Sequence, residues 1–183
     1  LGINAVGIEI LPVCQLAWEA KSMVFAYDLD ELQRAYDLIQ QSEPDESQTP
    51  FPHLAITQSA FPVQTERHLM YYTKWAEGLD VSRPTKVLLR LALSSILEEI
   101  SYTRKDGQYL RWDSRSDKVQ GRNQIRLSQG KNPIKGMDKG RLPTVKGALL
   151  RALAAMIRDI EELQKRPHLD SHQELIFGSA LTV

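Results

Sequence analysis

The sequence predicts a mixed α/β fold dominated by helices, and three observations predict it. Apolar residues recur at helical spacing in five separate stretches. Residues 5–10 (AVGIEI) alternate small and β-branched side chains and read as a short buried strand. Between positions 104 and 146 the apolar periodicity fades and basic residues crowd in. With 183 residues and a mass of 20.8 kDa, the chain can bury a real core in one ordinary domain, or in one and a half small ones.

After the first strand, Pro12 suits the opening turn of a helix, because its missing N–H would have no partner there. Val13, Leu16, Ala17, Ala20, Met23 and Val24 then carry that helix to about Ala26. Asp28 followed by Glu31 resembles a capping box, so a second helix is expected to run to about Gln41. Residues 42–52 hold Pro44, Pro50 and Pro52 among acidic and polar groups and read as a linker. Residues 64–78 place Leu69, Tyr72 and Trp75 on one face and stop at Gly78. Ser82 can cap the next helix, whose apolar face runs from Val87 to Ile100. A short strand is expected at 109–112. Thr144 can cap a last long helix ending before Pro167, and residues 175–177 suit a final strand.

The charges cancel over the whole chain, 23 basic against 23 acidic, but not along it. Residues 1–103 carry 14 acidic and 7 basic groups, a net of −7. Residues 104–146 carry 12 basic and 4 acidic groups and no Glu, a net of +8. That segment also holds five of the ten glycines, with Gly147 just beyond it, and is expected to be mostly loop.

Several chemistries find no support. No apolar run is long enough to cross a membrane, and the opening residues lack the basic start, apolar run and small-residue cleavage site expected of a signal peptide. A lone cysteine, Cys14, leaves no disulfide framework and no thiolate zinc cluster, which favours a reducing, cytoplasmic setting. Cys14 falls on the apolar face of the first helix, as a small buried hydrophobe would. His168 and His172 are four apart, but Pro167 and Asp170 make their stretch a turn, so no metal site is expected. No Walker-type phosphate loop is present. The chain opens on Leu1 and closes on the apolar run LIFGSALTV, and both ends are expected to continue into a longer polypeptide.

The opening text LGINAVGIEILPV resembles the second conserved strand of S-adenosylmethionine-dependent DNA methyltransferases that modify exocyclic amino groups of adenine or cytosine. Their phrase reads like LGxNAVGIE followed by Pro, and Gly2, Ala5, Gly7, Glu9 and Pro12 match it. The resemblance implies a partial Rossmann-like unit in which Glu9 accepts hydrogen bonds from both ribose hydroxyls of the cofactor. It further implies that Ile8 and Ile10 pack into the sheet and that Leu11 lines the adenine pocket. Glu9, Ile10 and Leu11 are thus the cofactor-binding candidates. LIFGSALTV resembles the third strand of the same family, with Ser179 where an acidic residue is usual. The family's glycine-rich turn and its catalytic Pro-Pro-Tyr motif have no counterpart in this sequence, so no catalytic residue is assigned and the chain alone is expected to methylate nothing.

Three parts follow from that reading: residues 1–41 as a partial cofactor-binding unit, 42–170 as a helical insert containing the basic loop 104–146, and 171–183 as a return strand. SYTRKDGQYLRW also resembles stretches of such methylases. Arg104, Lys105 and Arg111 supply candidate phosphate contacts, and Tyr102, Tyr109 and Trp112 supply faces for stacking or wedging. Asn123, Gln124 and Arg126 are candidates to read base edges, with Arg115 and Arg122 completing the nucleic-acid candidates. Such an enzyme must extract its target base from the duplex, and a basic, aromatic-bearing insert suits that task. Two other readings stay open. One is a non-enzymatic nucleic-acid-binding module; the other is a helical protein-interaction subunit whose acidic half and basic insert pair in a homodimer.

Overall fold

The computed structural model describes residues 3–45, 51, 53–55, 57–107, 109–168, 171–179 and 181. The elements in chain order are β1 (Ala5–Glu9), α1 (Pro12–Ser22), a 3-10 turn (Val24–Ala26), α2 (Leu29–Gln41), α3 (Val63–Gly78), α4 (Arg83–Ser95), α5 (Leu97–Ile100), β2 (Thr103–Asp106), β3 (Tyr109–Trp112), α6 (Asp117–Ser128), α7 (Val145–Gln164) and β4 (Gln173–Phe177). Helices dominate, as expected, and two small sheets accompany them.

Contacts divide the chain into two compact units. The first comprises Leu1–Ser42, Ala76–Ser94 and Leu150–Val183; the second comprises Glu43–Trp75 and Ser95–Leu149.

In the first unit β1 and β4 pair in parallel, with Ala5 beside Gln173 and Glu9 beside Phe177. Leu175 lies over Gly7, where an added Cβ would come within 3.1 Å of its Cδ1. Trp18 and Met23 share a shallow hollow with Leu175, which puts α1 on that face of the sheet. Val6 and Ile8 point to the other face and are 61% and 43% exposed. The expected buried strand is therefore a strand with one open face: α1 covers one side of the two-stranded sheet, and parallel sheets ordinarily need cover on both. Ile10, expected to pack into the sheet, is also exposed, because it lies past the end of the β1–β4 pairing.

Local signals place the helices of this unit. Pro12 occupies the first turn of α1. Asp28 Oδ1 accepts the N–H groups of Asp30 at 2.9 Å and Glu31 at 3.2 Å, capping α2. Glu31 does not close the box on Asp28. It accepts hydrogen bonds from the N–H and hydroxyl of Ser82 and from the hydroxyl of Thr85, and so caps α4 as well. Leu32, Ala35 and Ile39 of α2, Leu88, Leu89 and Ala92 of α4, and Leu153 and Ile160 of α7 are buried at helical spacing.

In the second unit, Leu69 and Tyr72 of α3, Ile96, Ile100, Val145 and Leu149 are buried. The single helix expected across Val87–Ile100 is broken at Ile96 into α4 and α5. The expected loop 104–146 contains a β2–β3 hairpin and the 12-residue helix α6. Gly107 turns the hairpin with φ of +57°, a conformation that favours glycine. Thr144 Oγ1 accepts the N–H of Gly147 at 3.1 Å and caps α7, as the sequence predicts. The linker residues 46–50 and Pro52 lie outside the described residues.

Candidate cofactor strand and nucleic-acid interface

Glu9 is the last residue of β1, so its carboxylate stands at the carboxyl end of a parallel strand. Its Oε1 accepts the backbone N–H groups of Ile10 and Leu11, both at 2.9 Å. The Leu11 N–H first, then that of Ile10, holds the carboxyl below its ordinary pKa, so the group stays ionised. The strand continues into Pro12 and α1 one turn later, which keeps this carboxylate at the mouth between strand and helix. Gly178 N–H donates to the Glu9 carbonyl at 3.0 Å and ties the end of β4 to the same point. Leu11 is exposed beside it. Cys14 is half-buried rather than buried, and partial burial and then the Glu9 charge push its thiol up.

The two histidines lie off any helix, as expected: His168 meets Phe25 edge-on at 4.6 Å, and His172 lies 3.4 Å from Glu174. Among the described residues no group of three metal-ligating side chains comes together, and no described helix is long and apolar enough to cross a membrane.

In the second unit the hairpin register sets Arg104 opposite Arg111, Lys105 opposite Leu110, and Thr103 opposite Trp112. Alternation groups Arg104, Tyr109 and Arg111 on one side of the ribbon with Asp106, which pairs with Arg111 at 2.6 Å. Tyr109 is among the most exposed aromatic side chains. Trp112 lies under Lys118, whose Nζ is 4.2 Å from the ring centroid.

Arg115 is engaged differently. Asp113, fully buried, receives the Arg115 guanidinium through Nε and an Nη, each at 2.8 Å, and accepts the N–H of Arg115 and of Lys139. The Arg115 guanidinium holds the Asp113 carboxyl well below the usual carboxylate range. Arg115 also donates to the Gly140 carbonyl at 2.7 Å and lies over the Tyr102 ring. Lys139 Nζ donates to the carbonyls of Glu98, Ser101 and Thr103, and burial lowers its pKa. This knot fastens the segment after α6 to the hairpin, and in it Arg115 serves the fold.

On α6, Lys118, Arg122 and Arg126 recur every fourth residue and share one face. Asn123 exchanges hydrogen bonds with the backbone of Ile134 at 3.1 and 2.6 Å, and Arg126 Nε donates to the Asn132 carbonyl at 2.7 Å. Asn123, which the sequence offered as a reader of base edges, is thus a clasp for residues 131–137. Lys118 and Lys135 line a cleft beside Trp112 that sequence reasoning did not single out. The signal for Lys118, its fourfold spacing with Arg122 and Arg126, becomes legible once α6 is known to be a helix, whereas Lys135 lies beyond that helix and carries no such signal.

No protein-family model matches the chain, and no solved structure matches it. The sequence is 53% identical over 184 residues to the type II methyltransferase M.BsoBI of Geobacillus stearothermophilus, an alignment covering 99% of this chain and 36% of that protein. It is 30% identical over 165 residues to the type II methyltransferase M.AvaI of Nostoc sp. and of Anabaena variabilis, covering 88% of this chain and 31% of each. The chain spans about a third of the length of the curated relatives it matches.

Proposed function

We propose that this chain, which is similar along nearly all its length to type II methyltransferases, is a stretch of a DNA amino-methyltransferase carrying the ribose-binding strand and a DNA-contacting unit. The observation that carries this reading is the parallel pairing of β1 with β4, which sets Glu9 at the carboxyl end of a strand where nucleotide-binding α/β sheets take their ligands.

The residues present fit one part of S-adenosylmethionine. An ionised carboxylate at a strand end is an acceptor for two ribose hydroxyls, and exposed Ile10 and Leu11 beside it offer apolar cover for the base. When bound, the cofactor supplies the methyl group. The uncovered face at Val6 and Ile8 is suited to packing by the remainder of the parent enzyme, since parallel sheets are buried on both sides. The chain by itself is inactive in this account, because the residues that would hold the methionine part and the target amine are not among its motifs.

DNA contact belongs to the second unit. In this reading Arg104, Lys105 and Arg111 of the hairpin and Arg122 and Arg126 of α6 meet phosphates, and Tyr109 and Trp112 offer aromatic faces. Titration of a fluorescent duplex at two salt concentrations tests the reading. The expected result is weak binding that falls steeply as salt rises. Salt-independent binding, or none at low salt, contradicts it.

A further inference from the structure

We infer that the cleft between β3 and α6 is a groove for the phosphate backbone of duplex DNA, with Lys118, Arg122 and Lys135 as its principal cations, an inference resting on the reading that this unit contacts DNA. The cleft has a volume of about 490 Å³. Arg111, Trp112, Lys118, Arg122 and Lys135 line it, and no lining residue is acidic. Arg111 already has Asp106 as a partner, which leaves the other three as the main attraction for an anion.

These cations come from two separate segments, a helix and the stretch that follows it, and converge on one hollow. Like charges gathered this way repel one another in the free protein, and an anion relieves that repulsion. Elsewhere the arrangement is different: Arg115 faces Asp113, Arg83 faces Glu19, and Lys165 faces Glu161 and Glu162.

The groove is held open at both ends. Asn123 clasps Ile134 to α6 on one side. On the other, Met137 N–H donates to the Trp112 carbonyl at 3.1 Å and Ser114 N–H to the Met137 carbonyl at 2.9 Å. Gly136 lies so close to Ser114 that a Cβ there would come within 2.7 Å of its Cα. The frame of the groove is thus tied by contacts within the chain itself, an arrangement that lowers the cost of binding. Point cations on a fixed frame, with the neighbouring amide Asn123 consumed by the clasp, match phosphates rather than base edges.

The test is anisotropy of a labelled duplex with the 183-residue chain between about 50 and 200 mM salt. K118Q/R122Q/K135Q is compared with K21Q/R158Q/R166Q, which removes equal charge from the other unit. The groove variant should bind at least about tenfold more weakly and lose about 2 to 3 from the slope of log K against log salt, while the control keeps its slope. Circular dichroism reports folding; should the triple variant unfold, K135Q alone should lower the slope by about 1. An unchanged slope in the groove variant, or an equal loss in the control, overturns the groove while leaving DNA contact standing. Absence of binding by the unaltered chain at the lowest salt overturns both.

Discussion

The Glu9 carboxylate accepts the backbone N–H of Leu11 at 2.9 Å, so the side chain is folded onto the turn that follows its own strand. That contact fixes an ionised acceptor at the carboxyl end of β1, with Ile10 N–H as its second anchor. Sequence spacing alone leaves such a residue indistinguishable from a solvated carboxylate at a sheet edge. Its position in the β1–β4 pair is what the proposed ribose-binding role rests on.

Asp113 is predicted to be a keystone of the second unit. Asp113→Ala leaves the Arg115 guanidinium and the Lys139 N–H without their acceptor, and should cost about 2–4 kcal/mol in urea denaturation. A loss under about 0.5 kcal/mol, the range of ordinary surface changes, contradicts this role.

The same group sets a pH dependence. Its folded pKa lies below the unfolded value of about 3.9, so the native state holds the charged form more strongly. The stabilisation is whole above the unfolded value and is lost as pH falls through the interval below it. Stability measured at pH 7, 5 and 3 should therefore show a smaller gap between the unaltered chain and Asp113→Asn at the lowest pH. A gap that widens on acidification has the wrong sign.

Two glycines should respond oppositely to alanine. At Gly136 a Cβ meets the Ser114 backbone at 2.7 and 2.8 Å, and Gly136→Ala should destabilise by about 1–3 kcal/mol. At Gly121, inside α6, nothing lies within 4 Å, and Gly121→Ala should stabilise by about 0.5–1 kcal/mol. Thermal midpoints of the two variants read the signs directly; equal signs contradict the packing described for the segment after α6.

Elements with a local chemical signal were legible from sequence. Pro12, Asp28, Gly78 and Thr144 mark helix ends, and each lies at or next to the end it predicts. Helix α6 was not legible, because its Ile125 and Leu127 are exposed and it has no buried residue, so no apolar stripe marks it. Strand β2 reads TRKD and gives no alternation; its pairing with β3 defines it. Apolar text in β1 suggested burial, yet burial depends on what lies across the sheet, which local sequence does not record. Among the site residues, the basic character of Arg115 was plain, but its capture by buried Asp113 required the fold.

The most direct test of the central claim is the affinity of S-adenosylmethionine for the complete parent enzyme with and without Glu9→Ala, measured by calorimetry alongside circular dichroism. Binding is expected to be lost while the helical signal is unchanged. Unaltered affinity in a folded Glu9→Ala enzyme contradicts it.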